Sequence, residues 1–531
     1  MSNPRGLSSV ARAGCRICGF SAIRILKEAV AVSNTVPSTG RRTNVALVTL
    51  AAFVATFMTA IEGTIVSTAM PTIVSDLHGL AVMNWVYSIY LLMTAVTTPI
   101  YGKLSDQYGR KPLLTIGLLV FVAGSALCAL AQSMPQLIAC RFIQGLGAGA
   151  IQPLTFTVLA DIYPLAKRAK VIGLNSSSWG IASIIAPLLG GFIVEQLSWH
   201  WVFAINVPIG LIVVLLVQVF LHEEGDRHTS AVDYKGISLL VLALVTLMLG
   251  LQNLADVHFL WVSLVLFLIC ALTVVVLVRV ETRQADPILP LNLFSNRSFM
   301  IQNVVILLIS GFLMGFETYL PIWMQSVLGL NPSMGGFAVT PSSIVWLVGS
   351  FVAGRLIIKH PPHKVTGLAL IFLLVACTIY VFLPQHTPFA VFLAISCLYG
   401  FGFGTSVTVS TVTSQSVVPF DQVGAATSFN TLARSLGQTL MISIFGIVLN
   451  VVTAHGVATH PGLTNDMMNR MINPQTAGQV PPEYLESARE IVYQGLHCIF
   501  LVGLVLLVIA FIINLCDRRS GMLLSDYNQN R

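Results

Sequence analysis

Apolar residues in this chain come in long blocks, separated by short polar breaks that carry glycine, proline and charge. A helix crosses the hydrocarbon core of a bilayer with about 20 such residues. Fourteen stretches reach that length: 45–70, 84–104, 112–132, 136–160, 171–194, 201–221, 234–253, 259–280, 299–324, 336–358, 364–383, 388–411, 422–452 and 495–516. The stretch at 234–253 is the weakest, because Asp233 and Lys235 stand at its start. The spans use roughly 280 residues, which leaves little chain for a soluble domain. The expected fold class is an all-α integral membrane protein. Its parts are a basic N-terminal arm (1–44), a six-helix bundle (45–221), two linker helices (222–298), a second six-helix bundle (299–516) and a tail (517–531). The longest loop, 453–494, lies in the second bundle. Met467 to Met471 and Pro482 to Gln494 are candidates for short amphipathic helices there. A solvated connector is the simpler expectation for this loop, and a gating lid the alternative.

Composition narrows the class. The chain has 531 residues, of which 55% are hydrophobic and 9% charged, with mean hydropathy +0.84. Soluble domains carry about 25% charged residues, so a soluble enzyme, a disordered chain and a disulfide scaffold are all excluded. The 28 basic and 21 acidic residues leave a net charge of +7. This surplus belongs on one membrane face rather than on a nucleic-acid surface. With fourteen spans both termini lie on one side. That side holds Arg41, Lys103, Lys111, Lys167, Lys359 and Arg518 among others, while the opposite loops carry only Arg470 and Arg489. The expected orientation is therefore cytoplasmic termini in the plasma membrane. Trp85, Trp199, Trp201, Trp261 and Trp323 fall near the outer interface, where an aromatic belt is expected.

Cysteine usage adds little. Nine cysteines, none clearly in an outer loop, predict no structural disulfide. Cys15 and Cys18 form a lone C-x-x-C without the second pair a metal needs. No cofactor is expected, and the ATP-binding pattern G-x-x-x-x-G-K-[ST] is absent. The arm at 1–40 reads equally as a basic tail, a transit-like leader or an extension upstream of the true start.

The chain repeats itself. Gly145-Leu-Gly-Ala-Gly149 recurs as Gly400-Phe-Gly-Phe-Gly404, 255 residues later, and Pro164 matches Pro419 at the same offset. Glu62 and Glu317 are also 255 apart, while Gly102-Lys-Leu matches Gly354-Arg-Leu at 252. Two six-helix halves with an even helix count are parallel repeats. Transporters built this way hold their site at midplane, between halves that rock.

A charge at the centre of a membrane helix costs about 2.5–3.5 kcal/mol. Four charged residues lie well inside spans: Glu62, Arg141, Glu317 and Arg434. A desolvated carboxyl is poised to exchange protons near neutrality. Glu62 and Glu317 are thus the candidate proton carriers, or else neutral groups hydrogen-bonded between helices. Arg141 balances a carboxylate, bonds helix carbonyls or snorkels to headgroups. Trp179, Trp346 and Phe316 are candidate aromatic faces for a cationic cargo, with helix packing the equal alternative. In the polar loop Gly102-Lys-Leu-Ser-Asp106-Gln-Tyr-Gly109-Arg110-Lys111 the expected device is a conformational latch, Asp106 capping a facing helix and Arg110 pairing with it. Pro187, Gly190 and Gly191 predict a kinked, softened helix.

These motifs resemble the major facilitator superfamily, and within it the fourteen-helix drug:proton antiporters. Gly102 to Lys111 is similar to the superfamily's loop between helices two and three. Arg141-Phe-Ile-Gln-Gly145 resembles the fourth-helix motif, whose arginine is implicated in proton transfer. Gly173, Pro187, Gly190 and Gly191 match the exporter motif G-x8-G-x3-G-P-x2-G-G, with Ala182 and Ala186 in place of two glycines. Ile61-Glu62 to Pro71 resembles the first-helix motif, with Glu where Asp is usual, and Trp199 to Gly210 is also family-typical. The resemblance implies a monomeric, proton-driven exporter of hydrophobic or cationic small molecules, with a proton gradient as its energy source and no enzymatic activity. The alternatives are export or flipping of an amphipathic lipid or metabolite, and a non-transporting sensor on the same scaffold.

Overall fold

The computed structural model describes residues 43–223, 234–253, 260–282, 291–418 and 423–519. The N-terminal arm, with Cys15 and Cys18, lies outside them. Fourteen helices form the body: α1 (Val45–Leu77), α2 (Met83–Tyr108), α3 (Arg110–Ala129), α4 (Met134–Ile162), α5 (Leu165–Gln196), α6 (Asn206–Phe220), α7 (Tyr234–Asn253), α8 (Leu260–Glu281), α9 (Arg297–Ile322), α10 (Pro332–Lys359), α11 (Pro362–Val381), α12 (Phe389–Ser416), α13 (Val423–Thr459) and α14 (Pro482–Leu515). Thirteen of the described helices are long and apolar enough to cross a membrane. The fourteenth, α7, has a shorter apolar segment, Lys235–Leu251, where the sequence was weakest. Thr43 bonds the carbonyl of His222 at 2.8 Å, so the chain starts beside the end of α6. We call this the terminal end, and the opposite one the far end.

The repeat is built into the packing. Asn44 caps α1 by accepting from Leu47 N–H at 3.2 Å, and Asn296 caps α9 from Phe299 N–H at 3.0 Å. Such caps satisfy helix-end donors left without intrahelical partners. A Cβ on Gly145 or Gly149 would strike the α2 backbone at Tyr90 or Thr94, and one on Gly147 would strike α3 at Phe121. In the second half Gly400 and Gly404 meet α10 at Ser342 and Trp346, and Gly402 meets α11 at Leu373. Thus α4 and α12 each bring two neighbours close through the same glycine triplet, as small residues do in membranes.

The two acids are not twins in this register. The caps Asn44 and Asn296, and the paired α2–α10 and α3–α11 contacts, are 252 residues apart, whereas Glu62 and Glu317 are 255 apart. Three further residues turn a helix by about 60° short of a full circle and advance it by about 4.5 Å. The 252 register places Met314, a core residue, opposite Glu62.

Hydrogen bonds between the halves cluster towards the far end. Tyr319 donates to Asn84 at 2.7 Å, Asn450 to the Ala81 carbonyl at 2.7 Å, Ser333 to Glu195 at 2.5 Å, and Ser88 and Ser443 lie 3.1 Å apart. Near the terminal end, among the described residues, nothing lies within 4 Å of a Cβ placed on Gly102 or Gly354. The halves are therefore bonded to each other at the far end, and open space borders Gly102 and Gly354 at the terminal end.

Three expectations need correction. Pro482 to Gln494 is not a separate surface helix but the opening turns of α14. The preceding segment is no solvated connector either. It forms short helices at Asn465–Met471 and Pro474–Ala477, and buries Met468, Met471 and Ile472. It also ties the halves together, since Asn469 accepts from Leu80 N–H at 2.9 Å and Thr476 lies 2.7 Å from Ser75. Finally, Trp199 and Trp323 are no part of an aromatic belt. Trp323 is enclosed by Tyr380, Phe392 and Phe500, and Trp199 is buried with its indole N–H donated to Asp76 at 2.8 Å. Their helix-end positions mimic interfacial anchors, but tertiary packing covers them.

Candidate functional site

Glu62 and Arg141 face each other inside the first half. Glu62 is 0% exposed and Arg141 1%. Arg141 Nη1 donates to Glu62 Oε1 and, at 2.8 Å, to Gln144 Oε1. Its Nε donates to the Val86 carbonyl of α2 at 3.1 Å. Asn206, at the start of α6, donates from Nδ2 to the other Glu62 oxygen at 2.6 Å. Ser125 of α3 accepts from Gln144 and from Asn206, both at 3.1 Å, and donates to the Phe203 carbonyl at 2.9 Å. The guanidinium sits 4.0 Å from the centre of the Tyr90 ring. Five helices therefore meet at one ion pair. Buried charges persist only when paired and hydrogen-bonded. Losing one partner of such a pair costs about 3–5 kcal/mol.

Sequence reasoning singled out the acid and the arginine but not Gln144, Asn206 or Ser125. The available signal was modest: Gln144 and Asn206 are amides inside apolar blocks, less costly to bury than a charge and so less conspicuous.

The second half is built differently. The 255-residue offset that aligns α4 with α12 carries Arg141 onto Ser396 and Gln144 onto Tyr399. Ser396 donates to the Ala338 carbonyl at 2.7 Å, and Tyr399 joins a ring cluster. Glu317 has no hydrogen-bond or ion-pair partner among the described residues and is partly exposed. Arg434, in α13, has a buried Nε without a partner among the described residues.

The aromatic candidates separate. Phe316 lies against Tyr399, with ring centres 4.4 Å apart, and against Tyr380 and Phe403. It is fully buried, so the expectation of an open aromatic face fails there because the cluster covers it. Trp346 packs on Phe403 and is partly buried, whereas Trp179 is exposed.

In the latch loop, Arg110 pairs with Asp161 at the end of α4. Gly109 has φ +96°, and any Cβ there would also crowd Glu223. Glu223 accepts from Lys111 N–H at 2.5 Å, an anion seated at the start of α3, and Lys111 Nζ reaches the Gln218 carbonyl at 2.9 Å. The loop is thus fastened to α4 and the end of α6. The side chain of Asp106 and the surroundings of Gly173 lie outside the described residues. In the α5 motif, Gly190 packs on Ile65 and Thr68 of α1, Gly191 on Ser333 of α10, and the Pro187 carbonyl faces Gly336. These small residues let α5 touch both halves at once.

The sequence profile of the Major Facilitator Superfamily matches residues 52–442. The chain belongs to the major facilitator superfamily. Among its relatives is "Multidrug transporter protein MdtP" of Bacillus subtilis (strain 168), 34% identical over 77% of this chain and 76% of that one. "Multidrug resistance protein 3" of the same organism is 33% identical over 89% and 95%. "Multidrug efflux pump SdrM" of Staphylococcus aureus (strain N315) is 33% identical over 73% and 86%. The fold matches a solved bacterial homologue of the human lysosomal transporter Spinster, in an inward-facing and unoccupied conformation. That match has a TM-score of 0.65 at 16% identity and covers 91% of this chain and 98% of that one. Membership in the superfamily makes this chain a multi-pass membrane transporter of small molecules rather than an enzyme.

Proposed function

We propose that the protein is a proton-coupled exporter of apolar, cationic small molecules, seated in the plasma membrane with both termini cytoplasmic. The sealed Glu62–Arg141 pair carries this reading, because it holds a proton-accepting carboxylate against a fixed cation out of water. The relatives named as multidrug transporters and efflux pumps support export of drug-like cargo. The unpartnered carboxyl of Glu317 supports a positive charge on that cargo.

In this reading cargo enters from the terminal end and is held at Glu317 while the far end is shut. Glu62 takes its proton when the far end opens. Neutral Glu62 no longer holds Arg141, and Arg141 in turn grips the first turn of α2 through the Val86 carbonyl. Two residues away on α2, Asn84 receives the Tyr319 hydroxyl of the second half. The proton on Glu62 is thereby linked to the contact that closes the far end.

Dye efflux in inverted membrane vesicles tests the reading. Expected is transport that follows an imposed pH gradient and stops with an uncoupler. Transport unaffected by the uncoupler would remove the proton from the scheme.

A further inference from the structure

The two halves meet along two lateral seams, and the linker helices treat them unequally. At one seam α2 meets α13. There α7 lies across both helices: its Leu240, Leu244 and Met248 pack into one cluster with Leu92, Met93 and Val96 of α2, and Leu436 and Leu440 of α13 join the same cluster. Gly250 of α7 presses on Phe267 of α8, and α8 forms the outer layer, with Leu264, Leu268 and Leu272 exposed.

At the other seam α5 meets α10, and among the described residues no linker helix covers it. Its rim exposes Trp179, Ile181, Ile185, Ile344, Val348 and Phe351. The seam is tight at the far end, where Gly191 touches Ser333 and Pro187 touches Gly336, and contact continues down to Gly180 against Leu347. Two turns further along α10, a Cβ on Gly354 meets nothing within 4 Å. The apolar rim thus borders the space that opens at the terminal end. Beyond it the exposed Arg355, Lys359 and Lys167 add positive charge at the water-facing mouth. A cation approaching through water meets that charge, whereas one dissolved in the bilayer passes beneath it.

We propose that the α5–α10 seam is the portal through which bilayer-dissolved apolar cations enter the central space, and that α7 seals the equivalent α2–α13 seam against them. This rests on the cation-export reading above and adds the route.

The test uses the full-length protein in liposomes and a lipophilic quaternary ammonium bearing a benzophenone. Adducts are mapped after irradiation, with and without excess untagged cation. Expected are adducts within 179–185 and 344–351 that fall at least tenfold on competition. Competed adducts on α2 or α13 in the unaltered protein would overturn the route while leaving cation export standing. No competed adduct anywhere would overturn the route together with the cation reading. Leu240→Ser with Leu244→Ser should add competed adducts on α2 and α13. If these positions stay unlabelled in a variant that elutes as the unaltered protein does, α7 is not the seal.

Discussion

At the residue scale, the membrane-buried acid of the first half is electrically satisfied, and that of the second, among the described residues, is not. Glu62 has Arg141 and Asn206, whereas Glu317 has no partner among the described residues. This difference predicts opposite behaviour on neutralisation. Glu62→Gln leaves Arg141 buried without its counter-ion, and should lower unfolding stability by about 3–5 kcal/mol. Combining it with Arg141→Met should recover much of that loss in a thermal-unfolding cycle. Glu317→Gln strands no partner, so stability should hold. Binding of monovalent cationic dyes should weaken about tenfold, or about 1.4 kcal/mol, with neutral ligands unaffected in equilibrium titrations. Equal weakening for neutral ligands would assign Glu317 a packing role. Both acids were legible in the sequence because charge is conspicuous in an apolar block. Their inequality was not, since it depends on a three-residue shift between helix caps and on what α12 carries at Ser396 and Tyr399.

At the element scale, the glycine triplets were legible because two copies share a register, and the structure gives each copy the same pair of neighbours. The segment between α13 and α14 was not legible: its methionines and amides sit among polar residues, and only its docking against α1, α13 and α14 buries them. That docking predicts a gate. A disulfide between cysteines replacing Ser75 and Thr476, whose hydroxyls lie 2.7 Å apart, should stop transport, and reduction should restore it. Activity in the oxidised state would show that the segment stays put while the far end opens. The open space at Gly102 and Gly354 predicts that these faces meet when the terminal end closes. Leucine at either position should therefore hold the halves in the form seen here. Distance measurements between spin labels across the terminal end would then show a single long population with cargo present.

At the scale of the whole molecule, the proposed mechanism takes two bundles joined at the far end as its rocking frame and the buried pair as its coupling between proton and gate. The all-helical class and the run of long apolar helices followed from apolar block lengths. The placement of α7 over one seam did not, because it is a matter of which lipid-facing surface a linker happens to cover. The proposed orientation predicts that a reporter fused after Arg531 is active only in the cytoplasm. The most direct measurement of the central claim is proton movement caused by cargo, in liposomes holding the purified protein and a pH-sensitive dye. Adding a cationic cargo to one side should drive protons the opposite way through the unaltered protein and not through Glu62→Gln. Cargo that crosses without moving protons, or an undiminished proton signal in Glu62→Gln, would contradict the account.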